Sequence, residues 1–187
     1  SFAVRRLLEQ LGQAGEWLTA LAALQCLRRR GLEMNVYLVS ASIGACTSSG
    51  AWHQALQLLR DMSDSGVERN SVMYGAAITA CGKGGAWGWA VQLLCEMAAG
   101  RVEKTTSVCN SALSACGKDA EWNWALQLFR EMGFDWVEAD TLTYNAAASA
   151  CEKGWQWSLA LQLFREMIDN LVEKDTVTYR AIVSACE

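Results

Sequence analysis

Proline is missing from all 187 residues, and histidine occurs once, as His53. His53 follows Trp52 at a helix start and is expected to face solvent, so no Ser/His/Asp set is expected, and one imidazole cannot build a His-rich metal cluster. No CxxC pair occurs among the eight cysteines, which removes zinc ribbons and dithiol redox motifs. There is no P-loop and no HxE…CxxC deaminase pattern. No enzyme, metal or cofactor is therefore expected. No run of 18 apolar residues occurs, so neither a transmembrane helix nor membrane insertion is expected. No targeting segment is visible. A basic excess is absent too: Lys and Arg number 16 against 20 Asp and Glu, for a net charge of −4. The pI near 5.1 lacks the strong basic signature of many nucleic-acid-binding domains. Strand-like alternation is missing, and no helix is broken by proline.

What is present is periodic. Trp17, Trp52, Trp87, Trp122 and Trp157 stand 35 residues apart. So do Cys46, Cys81, Cys116, Cys151 and Cys186, and Met62, Met97, Met132 and Met167. A fixed period between about 20 and 50 residues marks a solenoid of stacked supersecondary units. Such a fold presents a surface and has no single catalytic pocket. The units are 1–35, 36–70, 71–105, 106–140 and 141–175, with a sixth begun at 176–187. Because the chain starts without Met at a unit boundary and stops within a unit, it is expected to be a piece of a longer array.

One unit contains two helices. In 141–175, Trp157, Ala160, Leu161, Phe164 and Met167 form the apolar stripe of the second helix. Tyr144, Ala148 and Cys151 form the small-residue face of the first. Gly154 is placed to end the first helix as a C-cap, and Thr141 or Thr143 to supply an N-cap oxygen. The expected fold is all-α: a right-handed α-solenoid of helix-turn-helix repeats, each stabilised by its neighbours. The recurrent cysteines suit a helix interior as small apolar residues. The recurrent tryptophans are expected to pack between repeats, although they could also act as base-stacking platforms. Trp89, Trp124, Trp136 and Trp155 lie off that series, with Trp136 the strongest candidate for a surface aromatic. Glu33, Glu68, Glu103, Glu138 and Glu173 form an acidic column in the links. Asp61, Glu96, Glu131 and Glu166 form another on the second helices, where Arg60, Arg130 and Arg165 precede three of them as pairing candidates.

The runs LTYNAAASACEKG and TTSVCNSALSACGK, each followed by ALQLFREM, resemble pentatricopeptide repeats, and the chain is similar to the expanded algal and organellar members of that family. The resemblance is strongest over 71–187, good over 36–70 and degenerate over 1–35. It implies modular binding of single-stranded RNA, one base per repeat. The fifth and last residues of a repeat would read the base: Ser40 with Asn70, Gly75 with Thr105, Asn110 with Asp140, and Asn145 with Asp175. By resemblance the Asn/Asp pairs favour uracil and the Ser/Asn pair adenine. Gly75/Thr105, the pairing of Arg5 with Asn35, and Arg180 fall off the pattern. The base wedges would be Tyr37, Val72, Ser107 and Leu142, of which Ser107 departs from the apolar type. Lys83, Lys118 and Lys153 recur at the ends of the first helices and could follow a phosphate backbone. The same lysines would also offset the helix macrodipole.

The family implies work on RNA processing, stabilisation or translation in a chloroplast or mitochondrion. Modest affinity is expected from three patterned repeats on an acidic chain. The acidic balance and the tryptophans also suit a protein-binding scaffold or auxiliary subunit of a large organellar complex.

Overall fold

The computed structural model describes residues 18–19, 22, 25–26, 36–64 and 69–185. It divides into two compact units, Ser1–Glu103 and Lys104–Glu187. The first unit contains α1 (Val36–Ser49), α2 (Trp52–Asp64), α3 (Ser71–Lys83) and α4 (Trp87–Ala99). The second contains α5 (Thr106–Lys118), α6 (Trp122–Phe134), α7 (Thr141–Lys153), α8 (Trp157–Asp169) and α9 (Thr176–Ala185). Among the described residues there are helices and no strands. The fold is an all-α helical-repeat solenoid.

Each unit is built on the same layering. First helices lie side by side, α1 on α3 in one unit and α5 on α7 on α9 in the other. Each second helix that is followed by another first helix of its unit wedges between its own first helix and that next one. The first helices approach closely because their facing residues are small. Ala112, Ala115, Cys116 and Gly117 of α5 are buried, as are Ala147, Ala148, Ala150 and Cys151 of α7. The core of the second unit runs continuously from Leu126 through Tyr144, Cys151, Leu163 and Met167 to Ala181 and Ala185. Short helices of this length are marginal alone. Burial of the periodic residues supplies what propensity does not: Met62, Met97, Met132 and Met167 are all 3 % exposed or less.

The recurrent cysteines sit in that core, apart from Cys186, which lies outside the described residues. Burial pushes the thiols of Cys46, Cys81, Cys116 and Cys151 up to about 11. They stay protonated at neutral pH and so behave as small apolar groups.

Gly154 is the C-cap of α7 as expected, at φ −84°, and two other local expectations are corrected. The left-handed residue is its neighbour Trp155, at φ 57°. Gly154 is needed for space: a Cβ there would fall on Cδ1 of Trp122 and 2.6 Å from its Cγ. Gly84 stands against Trp52 in the same way. The N-cap of α7 is Asp140, not Thr141 or Thr143, with Thr143 completing a capping box. Thr141 instead donates to the carbonyl of Glu173, and Thr106 to that of Glu138, so each helps to fasten the next link. Finally, the recurrent tryptophans are not uniformly packed. Trp52, Trp87 and Trp122 are half-buried, while Trp157 is 57 % exposed.

Glu96, Glu131 and Glu166 of the acidic column on the second helices each accept from a glutamine one turn earlier. Gln127 donates to Glu131 at 2.9 Å and Gln162 to Glu166 at 3.0 Å. Arg60 lies over the Trp89 ring, 5.5 Å from its centroid.

Candidate nucleic-acid interface

The fifth residue of each repeat lies in the second turn of a first helix, and the last residue lies just before the following first helix. Stacking of first helices therefore sets the amide of one repeat beside the N-cap of the next. In the second unit this happens twice. Asn110 Nδ2 donates to Asp140 Oδ1 at 3.1 Å. Asn145 Nδ2 donates to Asp175 Oδ1 at 3.1 Å and Oδ2 at 3.2 Å. Both expected Asn/Asp pairs are thus brought together.

A third residue joins each pair. Thr143 Oγ1 donates to Asn110 Oδ1 at 2.7 Å, and Thr178 Oγ1 to Asn145 Oδ1 at 2.6 Å. The aspartates also cap helices, accepting from the backbone N–H of Thr143 and Thr178, each at 2.8 Å. In return Thr143 Oγ1 accepts from Asp140 N–H at 3.1 Å, and Thr178 Oγ1 from Asp175 N–H at 3.2 Å. Asn145 is 6 % exposed, and Asp175 and Thr178 supply partners for its Nδ2 and Oδ1. The threonines were missed as partners of the asparagines, although Asp followed three residues later by Thr is a visible capping signal.

These bonds shape the charge. Partial burial raises the Asp140 carboxyl, but bonds from the Thr143 backbone and hydroxyl, Asn110 and the Leu142 backbone outweigh it and hold the pKa below 3.8. Asp175 is lowered chiefly by the Thr178 backbone N–H, with Asn145 and the Thr178 hydroxyl adding to it. Both are carboxylates at neutral pH.

The other pairs differ. Ser40 Oγ donates back to Val36 O at 2.6 Å within α1. Asn70 Oδ1 caps α3, accepting from Met73 N–H at 3.0 Å. Gly75 lies half-buried in the first unit, and Thr105 precedes α5 in the second without a side-chain cap bond. Arg180, at the fifth position of the last helix, is exposed. Arg5 and Asn35 lie outside the described residues.

Among the wedge residues, Val72 is 68 % exposed and Leu142 65 %. Ser107 is exposed as well, and the side chain of Tyr37 lies outside the described residues. Lys83, Lys118 and Lys153 end α3, α5 and α7 with exposed side chains. Lys153 Nζ donates to Gly117 O at 2.8 Å, so it neutralises the C-terminus of the adjacent α5. Of the off-series tryptophans, Trp136 is 93 % exposed and Trp155 81 %, Trp124 is less exposed, and Trp89 is half-buried.

Among the described residues no group of three or more His, Cys, Asp or Glu could hold a metal ion. No described helix is long and apolar enough to cross a membrane.

Known structures share this architecture. The chain aligns with pentatricopeptide repeat protein PPR10 in complex with an 18-nt psaJ RNA element at TM-score 0.83 and 22 % identity, over 99 % of this chain and 27 % of that one. The alignment with the PPR domain of Arabidopsis thaliana protein-only RNase P 1, in complex with tRNA, has TM-score 0.82 and 14 % identity, over 98 % and 97 %. Nuclear proteinaceous RNase P 2 from A. thaliana gives 0.84 and 12 %, over 100 % and 42 %. At these identities the likeness is one of fold, and the chain spans about 27 % of the length of the PPR10 chain. No curated protein matches the sequence. The pentatricopeptide repeat domain model matches residues 23–84 and 57–119, and the PPR repeat model matches 107–135 and 142–170. With the greater part of its length covered by these matches, the chain belongs to the pentatricopeptide repeat family.

Proposed function

We propose that the chain binds single-stranded RNA sequence-selectively, one base per repeat, without catalysing a reaction. The observation that carries this is the pair of hydrogen-bonded Asn/Asp couples, Asn110 with Asp140 and Asn145 with Asp175, repeated in register on neighbouring helices. Each couple holds an amide N–H donor beside a carboxylate acceptor. The Watson–Crick edge of uracil offers the complement, a C4 carbonyl beside an N3–H. Cytosine offers the reverse, an amino donor beside a bare N3, and is disfavoured. Ser40 with Asn70 is assigned adenine by family pattern, and the repeat with Gly75 and Thr105 is left without a preference. Exposed Val72 and Leu142 are suited to wedge against base faces. Lys83 and Lys118 are assigned to phosphate, with Lys153 sharing its charge with a helix end. The setting proposed is RNA processing, stabilisation or translation in a chloroplast or mitochondrion.

The test is a gel-shift titration with an oligonucleotide containing A-N-U-U against a scrambled oligomer. Tighter binding to A-N-U-U supports the assignment, and equal binding refutes selective recognition by this chain. A second role as a protein-binding scaffold or auxiliary subunit of an organellar complex is favoured by one feature. A cavity of about 510 Å³ beside α6 is lined by Phe129, Tyr144 and Phe134, the last 82 % exposed. Co-purified proteins that survive nuclease treatment would support that role.

A further inference from the structure

We propose that Thr143 and Thr178 are positioning residues that fix which base the preceding repeat accepts, by holding the reading asparagine in one amide orientation; this rests on the RNA assignment above. The starting point is a count of protons. A threonine hydroxyl has one hydrogen. Thr143 Oγ1 lies 2.7 Å from Asn110 Oδ1 and 2.8 Å from Asp140 Oδ1, and it also accepts the Asp140 N–H. Thr178 repeats the arrangement at 2.6, 3.0 and 3.2 Å. In both cases the asparagine oxygen is the nearer acceptor. Meanwhile the aspartate already receives a backbone N–H and the asparagine Nδ2.

An amide flipped by 180° would turn its oxygen toward the carboxylate and its NH₂ toward the threonine. The carboxylate, ionised at neutral pH, can only accept, so the flipped amide would set oxygen against oxygen. The carboxylate thus selects the orientation, and the hydroxyl braces it with a bond donated to the amide oxygen. Nδ2 carries two hydrogens, and the aspartate engages one. The other is the donor offered to a base. Without the hydroxyl, only the aspartate would oppose rotation of the amide, and the donor would be less firmly aimed.

The sequence supplies its own contrast. The residue equivalent to Thr143 and Thr178 is Met73 after the Ser40 repeat and Val108 after the Gly75 repeat, both apolar and buried. Hydroxyls stand at this position where an asparagine is there to be held. Where the reading residue is serine or glycine there is no amide to orient, and the position reverts to core. The same two junctions have aspartate as the helix cap, where the others have Asn70 and Thr105, so the threonines follow the capping box as well as the asparagine, and base selectivity is the readout that separates the two roles.

The experiment uses the full 187-residue chain and four oligonucleotides. They are A-N-U-U, its two single U→C exchanges and the double exchange. The wild type should prefer uracil at both positions. Thr143→Val should lower the uracil-to-cytosine ratio about three- to tenfold at the nucleotide facing 106–140, the change expected from one lost hydrogen bond. The ratio at the nucleotide facing 141–175 should stay unchanged, because Thr178 is intact. Thr143→Ser should restore the first ratio, and Thr178→Val should move the effect to the second nucleotide. Equal losses at both nucleotides in Thr143→Val would show a merely structural role and overturn the proposal, as would an unchanged ratio at its own nucleotide. Absence of uracil preference in the wild type would overturn the RNA assignment itself and the proposal with it. If Thr143→Val does not fold, Thr178→Val decides by the same two ratios.

Discussion

Replacing an alanine by glycine ordinarily destabilises a helical protein, yet Ala120→Gly should stabilise this one. Ala120 follows α5 at φ 59°, in the left-handed region. There the Cβ of an L-residue crowds the following carbonyl, at roughly 1–2 kcal/mol. The equivalent residues after α1 and α3 are Gly50 and Gly85, at φ 67° and 71°, which avoid that cost. Against the relief stands the greater freedom glycine gives the unfolded chain, worth about 0.5–1 kcal/mol. Ala120 is exposed, so losing its methyl group forfeits little burial. The net expectation is a gain of about 0.5–1 kcal/mol, or a rise in Tm of about 1–4 °C for a chain of this size. Urea unfolding followed by far-UV circular dichroism, alongside thermal melts, would measure it. The reciprocal change sharpens the test. A Cβ on Gly85 meets nothing within 4 Å, so Gly85→Ala isolates the backbone term and should cost about 1 kcal/mol. A lower urea midpoint for Ala120→Gly, or a neutral Gly85→Ala, would refute the reasoning.

Gly154→Ala should destabilise by about 1–3 kcal/mol although its φ of −84° suits alanine, because the added carbon meets the Trp122 ring. In a Trp122→Ala background that penalty should largely vanish, and a double-mutant cycle in urea would read the coupling. The second prediction concerns pH. Asp140 has a folded pKa below its ordinary 3.8, so its contribution to stability is complete above the unfolded value and is lost as pH falls through the folded one. The gap in urea midpoint between wild type and Asp140→Asn should therefore hold steady from pH 7 to about 5 and close below about 4. A gap that widens under acid would contradict it.

Much of the fold was legible because the period is strict. Trp, Cys and Met at fixed intervals gave the helix pairs, and the described second helices, α2, α4, α6 and α8, each begin at the recurrent tryptophan. Burial of Met97 or Cys81 followed from the same spacing. Turn chemistry was harder to read. Gly154 is legible as a C-cap in sequence, but the space it leaves beside Trp122 is a tertiary fact that no local window contains. The left-handed turn residue there is a tryptophan, a type with no preference for that region. The Asn110/Asp140 and Asn145/Asp175 couples came from family pattern, and spacing alone would not have chosen them. The threonines that complete them escaped notice because each lies on the far side of a repeat boundary from the asparagine it serves.

That last detail bears on how such arrays can be rearranged. The hydrogen-bonded cluster built on Asn145 draws its acid from Asp175 and its hydroxyl from Thr178, so a splice made between Lys174 and Thr176 would separate a lock from its key. A transplantable module should instead open at the fourth residue of one repeat and close at the third residue of the next, carrying Tyr144 through Thr178 together.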